Sequence, residues 1–475
     1  MVSVGTAESP LRVAIIGSGP SGFYAADALL KNKETTVEVD MFERLITPFG
    51  LVRGGVAPDH QKIKNVTKLY ERIAGKDNFR FYGNVEFGTD VTHDDLTDYY
   101  HHIIYAVGAQ TDRELGIPGE NLSGSHAATE FVAWYNGHPD YRHLSFDLSH
   151  PTAVVIGNGN VAMDVARILA SSPAELGKTD IADYALEALR NSNVQRIVML
   201  GRRGPVQASF TTPELKEFGE LEDAQAVISE ADVTLDALSE ADLEANVEGM
   251  RQAEEIMQWL RTYYETERDP AKSKEIVMRF LVSPTKFLGD GQVEQVELVH
   301  NELYRNERGT LRPRATDEIE IIEAGIVFRS IGYRGVPLPG VPFFDDWGII
   351  PNDEGRVTDK HQGDPLPGEY VAGWIKRGPS GVIGTNKPDA VETVKHLLAD
   401  TANSRMHTPT AGREGLEALL NERDVRYVSF DDWQVIDQIE IERGEAQGRP
   451  RVKLTEPGTM LKLLDERKSA QPSGD

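Results

Sequence analysis

Gly17-Ser18-Gly19-Pro20-Ser21-Gly22 sets three glycines at G-x-G-x-x-G spacing, between the apolar run Leu11–Ile16 and the helix formers Ala25, Ala26, Ala28, Leu29 and Leu30. Holding a pyrophosphate is the chemistry this spacing supports. The first glycine permits a tight turn, the second lets backbone approach the phosphates, and the third lets helix and strand pack closely. A helix N-terminus supplies free N–H groups and a positive dipole for the same anion. Val37–Glu43 reads as the next strand, and Glu43 stands where an acid bonds a ribose hydroxyl. These residues predict a dinucleotide site.

A second unit begins at Thr152. Ala153–Ile156 is its strand and Gly157-Asn158-Gly159-Asn160-Val161-Ala162 its turn, with alanine replacing the third glycine. A segment 171–193 intervenes before the strand Arg196–Leu200, which runs into Gly201-Arg202-Arg203-Gly204 without an acid. Arginine there suits a 2′-phosphate, which two guanidinium groups hold through bidentate, charge-assisted bonds. An acid-ended site together with an arginine-ended one points to FAD plus NADP(H).

The elements around these sites belong to an α/β protein. With 475 residues the chain has room for two or three domains, and 40% hydrophobic with 27% charged content describes an ordinary globule. A net charge of −26 argues against nucleic acid or an anionic membrane as the main partner. The sequence holds no apolar run long enough to span a bilayer. Met1–Pro10 resembles neither a secretory signal nor a mitochondrial presequence, so a cytoplasmic protein is expected. There is no cysteine, which excludes a disulfide, a redox CxxC pair, a thiolate nucleophile and a cysteine-held iron–sulfur cluster in this chain. Redox work therefore falls to a bound organic cofactor.

Gly50–His60 is a glycine-rich loop leading into a basic helix with Lys62, Lys64, Lys68, Arg72 and Lys76. Strands are predicted at Phe79–Val85, Ile103–Gly108, Val277–Leu281, Val293–Val299, Ala324–Gly332 and Glu369–Trp374. Residues 219–275 read as surface helices, with helical spacing at Val247, Met250, Met257 and Leu260. Ile375–Thr385 reads as a loop opening a late helix, whose N–H groups could face a flavin ring. Another helix is expected near Leu416–Leu420, and Lys468–Asp475 read as frayed.

The chain resembles the adrenodoxin-reductase-type ferredoxin–NADP reductases, in their stand-alone bacterial form, from about residue 11 to 465. Gly50–His60, Ile103–Glu120, Val155–Asp164, Gly201–Glu217 and Tyr370–Asn386 carry the resemblance. It implies two Rossmann-like domains in a glutathione-reductase-like arrangement. The NADP domain, 116–334, is inserted into a discontinuous FAD domain formed by 1–115 and 335–475. It further implies hydride transfer between NADPH and flavin, then single electrons to an iron–sulfur protein. The glycine fingerprint supplies Gly17, Gly19, Pro20 and Gly22, and the family pattern puts Ser21, Glu43, Leu51 and Val85 on FAD, with Trp374, Gly381, Val382 and Ile383 beside the flavin. For NADP(H) it puts Arg113, Asn158, Gly159, Asn160, Val161, Arg202, Arg203 and Glu214. His60 and Glu217 match the pair flanking the active site; no metal is implied. The ferredoxin is a separate chain, expected to dock near Arg53, Lys64, Lys68 and Arg72. A flavoprotein reductase for a small-molecule acceptor, and a non-catalytic NADP(H) sensor, are the alternatives at this point.

Overall fold

The structure, a computed structural model, describes residues 4–245 and 250–470. A seven-stranded sheet draws its strands from both ends of the chain. Leu11–Ile16 lies at its centre, parallel to Val37–Glu43 on one side and His102–Tyr105 on the other. Phe79–Gly83 extends the first side, and Pro365–Val371 returns from far along the chain to extend the second. A short antiparallel pair, Asn352–Asp353 with Arg356–Thr358, closes that edge. Leu11, Val13, Ala14 and Ile15 are fully buried, the pattern of a parallel strand covered by helices on both faces. Helix Pro20–Leu30 covers one face, burying Phe23, Ala25, Ala26 and Leu29, and packs on helix Asn386–Ala402.

Six parallel strands form the second sheet, in the order Ser125–Ala127, Ile326–Arg329, Thr152–Ile156, Arg196–Leu200, Lys274–Arg279, Ala224–Ile228. All of them come from the stretch that interrupts the first sheet. The result is two Rossmann-like units, one inserted into the other. A ribbon of Thr111–Asp112 and Tyr333–Arg334 carries the chain across in both directions. In each sheet the strand order reverses beside the glycine-turn strand, where a crevice opens at the carboxyl ends.

Several elements differ from the sequence reading. Residues 219–275 include the edge strand Ala224–Ile228, whose alternation of buried and half-buried positions is too short to stand out, besides the helix Met250–Glu265. Val247 lies outside the described residues. An antiparallel sheet of Val282–Leu288, Gln295–Arg305 and Leu311–Glu323 was expected only at its middle strand. The predicted loop 375–385 starts as a helical turn, Trp374–Arg377, once Gly373 takes φ +83°. The last helix runs Pro457–Ala470, so Lys468 is ordered and lies 3.0 Å from Asp432; 471–475 lie outside the described residues.

The basic segment also needs correction as a docking surface. Lys64 is buried with Nζ 2.7 Å from Asp180 Oδ1, and Lys453 from the C-terminal segment lies 3.5 Å from the same oxygen. Although burial alone would raise Asp180, Lys453 and Lys64 bring it down to about 2. Arg53 is clamped by both oxygens of Glu440, at 2.6 and 2.9 Å, and stacks over Trp433. Arg449 donates to the carbonyls of Thr179 and Ile181. Arg53 and Lys64 thus belong to an internal clasp joining the first domain, the 171–193 segment and the tail. Lys68 and Arg72 remain exposed.

Candidate functional site

A cleft of about 890 Å³ runs along the carboxyl ends of the first sheet. Its lining includes Gly17–Ser21, Glu43, Leu51 and Val85, Trp374 and Gly381–Ile383, and His60, Asn160, Val161 and Glu214. In the first turn Gly17 takes φ +102° and donates to the Phe42 carbonyl at 2.8 Å; a Cβ there would sit 2.7 Å from the Ala106 oxygen. At Gly22 a Cβ would sit 2.3 Å from the Gly17 oxygen, so the glycine is what lets turn and helix close on each other. At Gly19 a Cβ would meet nothing within 4 Å, and that open face is the cradle a pyrophosphate needs. Glu43 accepts from the Ser18 N–H (3.1 Å), the Ser18 hydroxyl (2.7 Å) and the Leu45 N–H (3.0 Å), which fixes its carboxylate at the cleft wall.

The neighbouring loop depends on one unusual residue. Phe49 takes φ +86°, its N–H donating to the Ser18 carbonyl at 3.0 Å, while its ring packs against Phe23, Tyr70, Phe430 and Trp433. That anchoring turns Leu51 toward the cleft. Across the cleft, the Ser21 hydroxyl donates to Asn386 Oδ1 at 3.1 Å, and the Trp374 ring lies 5.3 Å from that of Tyr333.

The second turn repeats the first. A Cβ on Gly157 (φ +130°) would sit 2.1 Å from the Ser330 oxygen, whereas one on Gly159 would meet nothing within 4 Å. Asn158 Nδ2 is buried with no hydrogen-bond partner among the described residues. Two open glycine cradles and an orphaned donor fit two dinucleotides, FAD at the first turn and NADP(H) at the second. Asn160 spends its side-chain oxygen on the Thr211 N–H at 2.9 Å, setting the start of helix Thr212–Glu217. Arg202 is exposed and Arg203 half-buried, both beyond the cleft walls. Burial lowers the Arg203 pKa, and the charges of Arg202 and Arg312 lower it further. Arg113 is exposed on the ribbon, outside the cleft lining.

Deep between the two domains, His60 Nε2 lies 2.9 Å from Glu217 Oε2 and 3.8 Å from Glu214 Oε2. Burial and the Arg167 charge pull the His60 pKa down. The hydrogen bond to Glu217 and the charges of Asp164 and Asp59 outweigh them, so it lies above the ordinary value. Glu214 is pushed up to about 7, by burial first and then by Asp164. Donor atoms of His60, Glu214 and Glu217 lie within 4.8 Å of one another. The Arg167 guanidinium, 2.8 Å from Glu217 and 3.4 Å from Glu214, already occupies the cation's place.

Residues 11–207 match the pyridine nucleotide-disulphide oxidoreductase family. NADPH-ferredoxin reductase FprA of Mycobacterium tuberculosis is 47% identical over 463 residues, covering 96% of this chain and 99% of that protein. The mitochondrial NADPH:adrenodoxin oxidoreductase of Arabidopsis thaliana is 41% identical, covering 94% and 93%. The chain belongs to the adrenodoxin-reductase-type ferredoxin–NADP reductases. The solved structure of M. tuberculosis FprA in complex with NADPH superimposes with a TM-score of 0.90 at 46% identity, covering 96% of this chain and 99% of that one.

Sequence reasoning missed two groups of residues beside the candidate site. Arg312 sits on the antiparallel strand Leu311–Glu323, at a paired position opposite Tyr304, and nothing local ties it to Arg203. Arg167 and Asp164, at i and i+3 on the second glycine-turn helix, are a charged pair inside NVAMDVARILA, otherwise apolar after its first residue. A charged pair on a helix destined for burial is a signal that could have been read.

Proposed function

We propose that this reductase passes electrons between NADPH and a ferredoxin-type iron–sulfur protein by way of bound FAD. The observation that carries the reading is that the first glycine turn and, from the start of the second glycine-turn helix, Asn160 and Val161 line one cleft together with Trp374 and Gly381–Ile383, where the two dinucleotides would meet. Gly19, Ser21, Glu43, Leu51 and Val85 would hold FAD. Asn158, Gly159, Val161, Glu214, Arg202, Arg203 and Arg113 would hold NADP(H), with Asn160 setting the Glu214 helix. Bound FAD supplies the chemistry that neither partner has, taking up two electrons together and releasing them singly.

The chain's own residues do the rest. Tyr333 and Trp374 wall the cleft where a nicotinamide would be oriented against the ring. Val382 is 57% exposed and leaves the mouth of the cleft open to a protein partner. His60 and Glu217 hold a proton beside the Glu214 carboxyl. The 475 residues hold no cysteine to bind a cluster, and exposed Lys68 and Arg72 would offer cations to a ferredoxin-type partner on a protein of net charge −26. Domain borders near 115 and 335, where the ribbon crosses, and a cytoplasmic setting go with this reading.

The test is anaerobic addition of NADPH to the purified yellow protein. Absorbance at about 450 nm should bleach and return when oxidised ferredoxin is added. A colourless protein, or bleaching equally fast with NADH, would refute it.

A further inference from the structure

Arg167 has 3% of its side chain exposed and touches five titratable groups on three segments. From the first domain, Asp59 takes both its Nε (2.7 Å) and Nη2 (3.1 Å), and His60 Nε2 lies 2.9 Å from Nη2. On its own helix, Asp164 Oδ1 lies 2.7 Å from Nη2. Across the helix Thr212–Glu217, Glu217 and Glu214 lie 2.8 and 3.4 Å from Nη1. The phenols of Tyr135 and Tyr333 feel the same field and stay neutral, through burial first.

We infer that Arg167 is a positioning residue for the nicotinamide end of the cleft, setting the balance between two proton positions on His60 and holding the Glu217 side chain in place. The inference rests on the function proposed above. A guanidinium only donates. His60 Nε2 therefore has two exclusive options: with the proton on Nδ1 it accepts a share of the Nη2 hydrogen that also faces Asp164 Oδ1, or it donates to Glu217 Oε2, also at 2.9 Å. In the first state Nδ1 faces Asp164 Oδ1 at 3.9 Å, and Arg167 alone binds Glu217. In the second, His60 and Arg167 share the Glu217 carboxylate. The fork makes the two states close alternatives, and the bidentate Asp59 contact keeps the fork in register across the domain border. Four carboxylates around one permanent cation leave an excess of negative charge, consistent with the raised Glu214.

Two substitutions separate positioning from mere stability. Arg167→Met removes the charge at similar bulk; Arg167→Lys keeps a charge and removes the fork. The readouts are the NMR titration of the His60 ring, identified by its loss in His60→Gln, and the pH profile of stopped-flow flavin reduction by NADPH. In the Met variant the His60 midpoint should rise by roughly 1–3 units, with the rate profile moving the same way. In the Lys variant the midpoint should stay within about half a unit while the limiting rate falls roughly tenfold or more, because orientation is lost. An unmoved His60 midpoint in the Met variant overturns the inference. If the Met variant does not fold, a Lys variant with wild-type rate and profile overturns it equally. Should NADPH fail to reduce even the wild-type flavin, the functional reading falls, and the His60 titration still judges Arg167.

Discussion

Replacing Arg203 with alanine tests the coenzyme assignment at its most exposed point. Arg203 is half-buried, and the charges that reach it come from Arg202 and Arg312, all of the same sign. An anion arriving at Arg203 offsets the repulsion it feels from Arg202 and Arg312. A hydrogen bond between ionised partners contributes about 1.5–3 kcal/mol, which corresponds to about 10- to 150-fold in affinity. Arg203→Ala should therefore raise the KM for NADPH within that range. NADH has no 2′-phosphate and should change by no more than about twofold, so the preference for NADPH collapses. Arg202→Ala should fall at the lower end because it is exposed and screened, and Arg312→Ala should cost only about 2- to 5-fold. The assay is steady-state ferricyanide reduction with each coenzyme at two salt concentrations, since the arginine contribution must shrink as salt rises. Equal losses with NADPH and NADH would refute the reasoning.

The two glycines of the first turn should part company: Gly19→Ala folds with a wild-type melting temperature but loses FAD on dialysis, while Gly22→Ala, its Cβ 2.3 Å from a carbonyl oxygen, melts lower by at least ~1–3 kcal/mol of stability. Docking should weaken in Lys68→Glu/Arg72→Glu, seen as a higher KM for ferredoxin with ferricyanide reduction spared. Lys64→Met instead strips buried Asp180 of its closest partner and should cost about 3–5 kcal/mol in chemical denaturation, with no specific effect on ferredoxin. Fully buried His102 is brought down to about 3, by burial first. The unfolded chain therefore takes up a proton below pH 6.5 that the folded one refuses, and this group removes up to about 1.4 kcal/mol of stability per pH unit as pH falls from 6.5 towards 3. Melting temperatures measured from pH 7.5 down to 5 should decline, and a flat curve would show that the ring charges in place.

What could be read from the sequence was local. A glycine turn, the strand before it and the acid or arginines after it lie within one βαβ unit, so Glu43 and Arg202 carry their meaning in their spacing. The His60 cluster is different: 59–60, 164–167 and 214–217 meet only after two domains close, and the sequence offers no distance between them. Lys64 shows the limit most clearly. Its charge reads as a solvated face, because the acid that buries it lies in the 171–193 segment and its second cation, Lys453, in the tail. The antiparallel strand Leu311–Glu323 was hidden by composition, since most of its alternating positions are at least half exposed and charged.

The nesting of one sheet inside the other also sets an order of events during synthesis. The six-stranded sheet draws all its strands from residues 125–329, so that unit can complete itself while the remaining chain is still being made. The seven-stranded sheet must wait: its half made from residues 11–105 keeps the open flank of His102–Tyr105 until Pro365–Val371 emerges to cover it. Its flavin-side wall, Trp374–Ile383, comes later still. The clasp on Asp180 is completed only when Lys453 has emerged, and the helix Pro457–Ala470, which brings Met460 to the cleft, follows it. A nascent chain therefore cannot wall the cleft around FAD until residues 374–383 have emerged, and an interruption between residues 329 and 365 releases a complete inner sheet behind a half-built outer one.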